Sequence, residues 1–428
     1  MTPIKGTPAH GLIGATLGFF FGFAAVSLFG PTVDYLEKAA GLTPALAGLL
    51  IAIPNLSGSL LRISFSAMVD ADGGRRPFLI LLVLSLIGVA GIFGVLQFGA
   101  ENLRSLFPLL LLFGVLGGCG SATFSVGISQ TSYWFPPKRQ GTALGAYAGI
   151  GNLAPGIFAF LLSAVTIPLL GLAGSYLAWL ILLAGGTGLY FLLGRNAWYF
   201  QLRKAGVDAE DAKAEAREKY GQAFFPQKSV VQSLKTSAGV WQTWALVLIY
   251  FTSFGGFMAL TGWFPKYWLN YHQTSLALAG GLTALYSLGA SLVRIAGGGI
   301  SDRIGGENTA LISLGITLCG ALIVSFATLL SAAVAGVVLM AVGMGTANAA
   351  VFKMVPDKVP TAIGGAAGWV GGLGAFGGFV LPNLMAAFVA GDPVNGYARG
   401  FLVFVGLALV AGGISFLIKT SAPQGARR

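Results

Sequence analysis

Long apolar runs recur along almost the whole chain, and this feature limits the possible folds more than any other. An α-helix crosses the apolar core of a bilayer, about 30 Å thick, in about 20 residues. The runs have about this length and show none of the period-2 alternation typical of transmembrane β-strands. Only 9% of the 428 residues are charged, whereas a soluble domain carries about 25%. The sequence therefore predicts an all-α membrane protein with twelve spans, over residues 12–29, 45–69, 78–98, 106–133, 141–165, 173–194, 241–264, 276–300, 310–330, 332–355, 362–389 and 401–418.

A polar segment over residues 195–239 separates the first six spans from the last six. It contains the Ala-rich, charged stretch AGVDAEDAKAEAREKYG, which predicts a surface helix. We therefore expect two six-helix bundles, over residues 1–194 and 240–428, joined by a linker over 195–239. The first run is as long as the others and lacks a small-residue cleavage pattern, so it predicts a retained helix rather than a signal peptide.

Basic residues are concentrated on one side of the predicted membrane. The sequence has 25 Lys and Arg, and most of them lie in the even-numbered loops, the linker or the termini. The exceptions are Lys38, Arg104, Lys266 and Arg399 in the odd-numbered loops and Arg62, Arg294 and Lys353 within spans. By the positive-inside rule the linker and both termini are cytoplasmic, as expected for a multi-pass protein of the inner or plasma membrane of the cell. The net charge of +11 thus reflects topology in a lipid bilayer, and no binding to nucleic acid is expected.

The two halves of the chain contain matching motifs. Residues 59–63, SLLRI, correspond to residues 291–295, SLVRI, and each motif is followed by an aspartate and a pair of glycines at the same distance. Glycines of the fifth and eleventh spans also correspond, namely Gly145, Gly149 and Gly151 with Gly368, Gly372 and Gly374. Parallel repeats of six helices are typical of one large transporter architecture, in which the substrate binds near the membrane midplane between the halves.

The glycines of these two spans predict close helix contacts. Spacing by four places small residues on one helix face, where a neighbouring backbone can approach. Each glycine also costs about 1 kcal/mol of helix propensity relative to Ala, so their density in matching positions indicates surfaces that slide or rock as the halves move. Asn152 lies in the same run, and a buried amide requires hydrogen-bond partners, either on a neighbouring helix or on a bound anion.

Arg62 and Arg294 lie at equivalent positions deep in the second and eighth spans. Eight residues of helix separate each of them from the aspartate that marks its interface, Asp70 or Asp302, so each α-carbon lies about 12 Å inward. A charge at this depth costs at least about 2.5–3.5 kcal/mol, and all 14 acidic residues fall in loops, in the linker or at span ends. One such arginine can snorkel to the headgroups, but a matched pair favours a bound anion, because a planar guanidinium binds an oxyanion through two hydrogen bonds. We therefore expect an anionic substrate between the two arginines.

Three other residues within spans have simpler interpretations. Lys353 lies near the cytoplasmic end of the tenth span, where snorkelling is favoured over a second anion site on the exit path. Cys119 and Cys319 lie in separate apolar runs and are expected to be small buried hydrophobes rather than a disulfide or metal ligands. The spans contain no nucleophile–base pair and no metal-ligand cluster, so we expect neither an enzyme nor a cofactor or metal.

Several motifs resemble those of the nitrate/nitrite porter family of the major facilitator superfamily. The superfamily's loop motif is similar to residues 70–76, DADGGRR, and 301–306, SDRIGG. The family's paired glycine-rich signatures are similar to residues 145–152, GAYAGIGN, and 368–383, GWVGGLGAFGGFVLPN. Residues 122–145, ATFSVGISQTSYWFPPKRQGTALG, and 351–358, VFKMVPDK, also resemble the family. The likeness extends from the second span to the eleventh, with departures at Ser66, Ala71, Ala154 and Ile295.

The resemblance implies the major facilitator fold and a role for each candidate residue. The implied roles are anion binding by Arg62 and Arg294, hydrogen bonding to the anion by Asn152 and Tyr250, and a sandwich of the flat ion between the rings of Phe124 and Phe254. Tyr250 and Phe254 are four residues apart and hence share one helix face. Without the resemblance, packing in the core or against lipid would be the favoured interpretation of both aromatic rings.

The function that the resemblance implies is transport of nitrate or nitrite by alternating access, by a protein that works as a monomer. The spans contain no carboxylate or histidine for a proton relay, which favours nitrate/nitrite exchange, while proton symport through the anion or through water stays open. A carrier of small carboxylates such as formate or oxalate would use paired arginines equally well. An anion channel fits the arginines but not the two repeated halves.

Overall fold

The structure, a computed structural model, describes residues 4–226, 230–359 and 362–420, and within these ranges every regular element is a helix. Eleven stretches of the described residues are long and apolar enough to cross a membrane. One of them, Ala143–Leu193, has 51 residues and would measure about 76 Å as a single straight helix, more than twice the apolar thickness of a bilayer. It breaks at Gly171, near the start of the helix Ile167–Leu193, where a φ of 68° is not helical, and it therefore holds two crossings. The described residues thus contain the twelve crossings that the sequence predicts.

Six membrane helices make up the first half, namely α1 (Pro8–Phe23), α2 (Pro44–Asp72), α3 (Arg75–Phe98), α4 (Phe107–Trp134), α5 (Pro137–Gly151 and Ala154–Leu161) and α6 (Ile167–Leu193). The second half contains α7 (Trp241–Asn270), α8 (Leu276–Ile304), α9 (Gly306–Phe326), α10 (Leu330–Lys358), α11 (Ile363–Ala375 and Gly377–Gly391) and α12 (Leu402–Thr420). Short helices outside these crossings are Val33–Ala40, Trp198–Lys204, Ala209–Tyr220, Val230–Ala238 and Gly396–Arg399. The end of the molecule that carries the linker between α6 and α7 is the linker end, and the opposite end, which carries Val33–Ala40, is the far end.

α2 and α8 have the same length and matching ends. Each has 29 residues and begins after a hydroxyl, on Thr43 or Ser275, that accepts a hydrogen bond from a backbone N–H of the first turn, a common helix cap. Each ends at a glycine with positive φ. Arg62 precedes the last residue of α2 by ten positions, and Arg294 precedes the last residue of α8 by the same number. The two arginines thus lie at equivalent positions of their helices, and their depth in the membrane stays a prediction.

The linker contains the surface helix that the sequence predicts. Ala209–Tyr220 begins after Asp208, whose side chain accepts from the backbone N–H of Glu210, and ends at Gly221 in the left-handed conformation. A further linker helix, Val230–Ala238, packs on α11, where Trp369 donates from Nε1 to a carbonyl of that helix at 3.1 Å. The chain termini at residues 1–3 and 421–428 and the side chain of Asp70 lie outside the described residues.

The structure corrects the predictions for Lys266 and Cys319 and gives Lys353 a partner. α7 continues beyond its expected end at residue 264, so Lys266 lies within a helix with 1% of its side chain exposed, rather than in a loop. Lys353 pairs with Asp302, the aspartate at the expected interface, at 2.8 Å, and its snorkelling to the headgroups stays a prediction. Cys119 is buried, as expected, but Cys319 is exposed on α9.

The two halves approach each other closely at the far end. A Cβ atom on Gly30 would lie 2.5 Å from the carbonyl oxygen of Gly262 on α7, so a larger residue would push the halves apart. Asn55 on α2 donates from Nδ2 to the carbonyl of Gly378 on α11 at 3.1 Å. Toward the linker end, by contrast, a Cβ on Gly145 would meet no atom within 4 Å. The path between the halves is therefore closed at the far end.

Candidate anion-binding site

Five helices from both halves supply the candidate residues, with Arg62 on α2, Phe124 on α4, Asn152 on α5, Tyr250 and Phe254 on α7, and Arg294 on α8. All except Arg294 are buried, and Arg294 is half-buried. Residues that lie far apart in the chain thus converge between the halves.

The Arg62 side chain is 1% exposed and is held by backbone carbonyls. Nε donates to Gly58, one turn earlier on α2, at 3.0 Å. Nη1 donates to Gly371 on α11 of the opposite half and Nη2 donates to Ser121 on α4, both at 3.4 Å. These dipoles offset part of the cost of burying the charge, and among the described residues no carboxylate pairs with Arg62. Its two long hydrogen bonds leave the terminal nitrogens able to bind an anion.

The phenyl ring of Phe254 lies within reach of both arginines. The guanidinium carbon of Arg62 is 5.2 Å from the ring centroid, and that of Arg294 is 5.6 Å from it. The two carbons are therefore at most about 11 Å apart, a distance at which two unit charges repel by about 1.5 kcal/mol at an effective dielectric constant of about 20. Nη1 of Arg294 is buried without a hydrogen-bond partner among the described residues. One anion between the arginines would offset the repulsion and supply the missing acceptor.

A short π-helical segment of α7, Phe251–Gly255, sets the direction of two aromatic side chains. Such segments are rare and occur frequently at functional sites. Tyr250 precedes the segment and Phe254 lies within it, and their rings stack with centroids 4.9 Å apart and planes 7° apart. The sequence spacing of four predicts that these rings share a face, but it does not predict the π segment.

The rings of Phe124 and Phe254 leave no slot for a flat ion in this conformation. A planar anion between two rings needs about 7 Å, twice a van der Waals contact of about 3.5 Å. The two centroids are 5.9 Å apart, with planes 30° apart. The guanidinium of Arg62 lies over both rings instead, 5.0 Å from the centroid of Phe124. The sandwich that the family resemblance implies requires the rings to separate, and it stays a prediction.

Two buried polar groups beside the arginines have no partner among the described residues. The Tyr250 hydroxyl lies beside the guanidinium of Arg294, but no hydrogen bond of normal length and angle reaches it. Oδ1 of Asn152 also makes none, while the backbone oxygen of Asn152 accepts from Ser291 at 3.0 Å, one turn before Arg294. An unsatisfied buried polar group costs about 1–3 kcal/mol, so both positions are suited to a polar ligand.

Glycines of α5 and α11 contact the arginine-bearing helices of the opposite half in matching ways. A Cβ on Gly149 would lie 3.4 Å from Ile295, which follows the arginine of α8, and a Cβ on Gly372 would lie 2.6 Å from Ile63, which follows the arginine of α2. The sequence repeat thus corresponds to a repeat of contacts across the interface.

The remaining candidate glycines differ in their surroundings. Gly151 leaves room for a phenyl ring of α1, and a Cβ on Gly374 would lie 2.6 Å from the ring of Tyr250. A Cβ on Gly145 would meet nothing within 4 Å, and one on Gly368 would meet only a side chain of the linker helix at 3.4 Å. Sliding at these glycines stays a prediction.

The structure adds two residues that the sequence does not single out. Ser121 is buried beside Arg62 with an unpartnered hydroxyl, and Met258 places its sulfur 4.0 Å from Nη2 of Arg62. Met258 lies four residues after Phe254, so helical periodicity could have identified it. Ser121 lies in a 3₁₀ turn of α4, Cys119–Ala122, and its position depends on packing that the sequence pattern does not reveal.

Twelve crossings in two matched halves, with the substrate path between them, define a membrane transporter. A family model described as Major Facilitator Superfamily matches residues 15–382. The chain is 31% identical over 395 residues to a probable nitrate/nitrite antiporter, NarK1 of Thermus thermophilus, covering 87% of this chain and 83% of that protein. It is 30% identical over 410 residues to a probable nitrate/nitrite transporter, NarK2 of Mycobacterium tuberculosis, covering 94% of each. It is 28% identical over 397 residues to a nitrite extrusion protein of Bacillus subtilis, covering 92% of this chain and 91% of that protein.

Solved structures share this fold. The xylose transporter XylE from E. coli, in a partially occluded inward open conformation, gives a TM-score of 0.73 at 16% identity and covers 97% of this chain and 100% of that chain. A bacterial homologue of the human lysosomal transporter Spinster, in an inward-facing and occupied conformation, gives a TM-score of 0.69 at 16% identity over 98% of both chains. This chain belongs to the nitrate/nitrite porter family of the major facilitator superfamily, as its motifs predict.

Proposed function

We propose that this protein carries nitrate and nitrite across the cell membrane by alternating access, with the anion bound between Arg62 and Arg294. The observation that carries the proposal is the matched pair of arginines. Both lie at the same position of their helices, both face Phe254, and neither pairs with a carboxylate among the described residues. The printed names of the relatives, a nitrate/nitrite antiporter, a nitrate/nitrite transporter and a nitrite extrusion protein, support the same anions.

The other candidate residues complete the site. Tyr250 donates its free hydroxyl to the anion, and the side-chain amide of Asn152 donates a second hydrogen bond from the α5 side. Phe124 and Phe254 separate to admit the flat ion and then cover its two faces. The contact to Tyr250 gives a partner to a buried hydroxyl that has none among the described residues.

Transport proceeds by nitrate/nitrite exchange, with both termini and the linker in the cytoplasm and one chain as the functional unit. Among the described residues, no carboxylate or histidine hydrogen-bonds to Arg62, Arg294, Asn152 or Tyr250, so the site offers no proton carrier of its own. Without an anion the two guanidinium groups repel each other across the path. That repulsion makes the empty protein slow to change conformation, which is the requirement for obligatory exchange.

Uptake into proteoliposomes separates exchange from proton symport. The purified protein is reconstituted with or without internal nitrite, and labelled nitrate is added outside with or without an imposed pH gradient. We expect uptake to require internal nitrite and to ignore the gradient. Uptake that follows the gradient and ignores internal nitrite would rule out exchange and establish symport.

A carrier of formate or oxalate is the alternative that paired arginines also suit. Unlabelled formate and oxalate are added in excess to the same uptake assay. Nitrate transport should resist both, because the printed names of the relatives point to nitrate and nitrite. Strong competition by either anion, together with uptake of its labelled form, would reassign the substrate.

A further inference from the structure

The ammonium group of Lys266 is buried at the far end, between the two halves. Its side chain is 1% exposed and pairs with Glu37 and, at 3.4 Å, with Asp34. Both carboxylates belong to the short helix Val33–Ala40 of the first half, whereas Lys266 lies on α7 of the second half. These ion pairs therefore cross the boundary that must part when the far end opens.

Two further side chains of the second half contact this cluster of charges. Asn270, one turn after Lys266, donates from Nδ2 to Oδ2 of Asp34 at 2.8 Å and to the carbonyl of Lys266 at 2.9 Å. The ring of Tyr397, before α12, lies 5.9 Å from the ammonium nitrogen. One half thus contributes two carboxylates, and the other contributes a cation and an amide that bind them.

Backbone contacts one helical turn before the cluster hold the two halves at a fixed spacing. Gly30 and Gly262 touch, as described above, and each lies four residues before a member of the cluster, Asp34 or Lys266. A Cβ on Gly262 would also lie 2.8 Å from a methyl group of Ile51 on α2. The close glycine contact holds the charged groups of the two halves within ion-pair distance.

We propose that Lys266, Asp34 and Glu37 form the gate that closes the far end of the transport path. A buried ammonium group without a counter-charge is costly, so the halves stay together at this end until water can replace the carboxylates. Other ion pairs lack this arrangement. Lys353–Asp302 lies within the second half and Lys219–Glu215 within a linker helix, and both are more exposed.

The proposed gate depends on the proposed function in one respect, namely that the transport path opens at one end at a time. It differs from the anion site in containing two carboxylates and in lying outside the two repeated motifs. Its test can therefore measure access to the path directly, with no anion present.

The test places a reporter cysteine at Ile51, which is 1% exposed below the gate, in a protein with Cys119 and Cys319 replaced by Ala. A charged maleimide reports how often the far end opens. We expect Lys266→Met, which keeps the apolar stem and removes the charge, to raise the labelling rate at least about tenfold. Lys219→Met removes an exposed lysine–glutamate pair and serves as the matched control, with labelling unchanged.

A charge exchange tests whether the ion pair itself is responsible. The double variant Lys266→Glu with Glu37→Lys keeps one cation and two carboxylates in the cluster, and labelling should return toward the reference rate. Labelling of a monodisperse Lys266→Met protein at the reference rate would overturn the gate. So would a rise that charge exchange fails to reverse.

A second variant covers the case in which Lys266→Met does not fold. Asp34→Asn with Glu37→Gln keeps the side-chain shapes and removes both negative charges, and it should raise labelling in the same way. Unchanged labelling in this folded double variant would overturn the proposal. Because labelling needs no anion, failure of the reference protein to carry nitrate would count against the proposed substrate and not against the gate.

Discussion

Arg62 and Arg294 face the same phenyl ring, that of Phe254, although they lie on helices of opposite halves. The ring is fixed by the π segment of α7 and by its stack with Tyr250. Each guanidinium interacts favourably with the ring face, and the ring keeps the two like charges apart at a distance that one small anion can span. Rocking of the halves changes this distance, so binding of the anion and the conformation of the protein are linked.

Replacement of either arginine by lysine tests the need for a planar, forked donor. Arg62→Lys and Arg294→Lys should each reduce nitrate uptake at least about tenfold, because a charged hydrogen bond worth about 1.5–3 kcal/mol is lost. Initial uptake rates in proteoliposomes measure the effect, with thermal unfolding as a check on folding. Arg203→Lys in the linker, where the arginine donates to the carbonyl of Val207, is the control. Near-reference uptake by both site variants would refute the assignment.

Removal of the Tyr250 hydroxyl separates binding from packing. Tyr250→Phe keeps the stack with Phe254 and removes a hydroxyl that has no hydrogen-bond partner among the residues that the structure describes. The KM for nitrate should rise about tenfold to a hundredfold, the equivalent of one charged hydrogen bond, and the free energy of unfolding should not fall. Uptake at a range of nitrate concentrations and thermal unfolding measure the two effects.

Tyr176→Phe is the matched control for this substitution. The Tyr176 hydroxyl hydrogen-bonds to Thr32 and to the carbonyl of Leu28, both at 2.8 Å. Its loss should lower the free energy of unfolding by about 1–2 kcal/mol and leave the KM unchanged. An unchanged KM in Tyr250→Phe would show that the hydroxyl does not contact the anion.

Stability should depend on pH through His272, in the turn between α7 and α8. Burial lowers the pKa of His272 below its usual value of about 6.5. The unfolded chain therefore takes up a proton before the folded protein does as the pH falls. The free energy of unfolding should decrease as the pH drops from about 6.5 toward the lower pKa of the folded state, and should be unaffected by this group above about 6.5.

Thermal unfolding in detergent across this pH range measures the effect. His272→Gln should lose less stability on acidification than the reference protein. Equal losses in the two proteins would show that His272 does not contribute.

Local pattern predicts the helices well and the contacts between halves poorly. Arg62 and Arg294 stand out because apolar runs make charge conspicuous and because the repeat compares one half with the other. Lys266 does not stand out in the sequence. The residues around it, FPKYWLN, are typical of an interfacial turn, and Pro265 is unfavourable inside a helix. Its burial comes from Asp34 and Glu37, which are distant in the chain, so only the packing of the halves reveals it. The π segment and the ring distances at Phe254 are likewise set by tertiary contacts.

Substitution of the candidate glycines tests the proposed movement. Gly374→Ala places a Cβ 2.6 Å from the ring of Tyr250, so it should reduce uptake at least about tenfold and cost about 1–3 kcal/mol of stability by overpacking.

Gly145→Ala meets no atom within 4 Å and should gain up to about 1 kcal/mol from helix propensity. If α5 slides against its neighbours during transport, Gly145→Ala should nevertheless slow uptake, because the added methyl group collides in another conformation. Gly406→Ala on α12, also without neighbours within 4 Å, is the control and should transport normally. Equal uptake by the Gly145 and Gly406 variants would show that Gly145 is not part of a sliding surface.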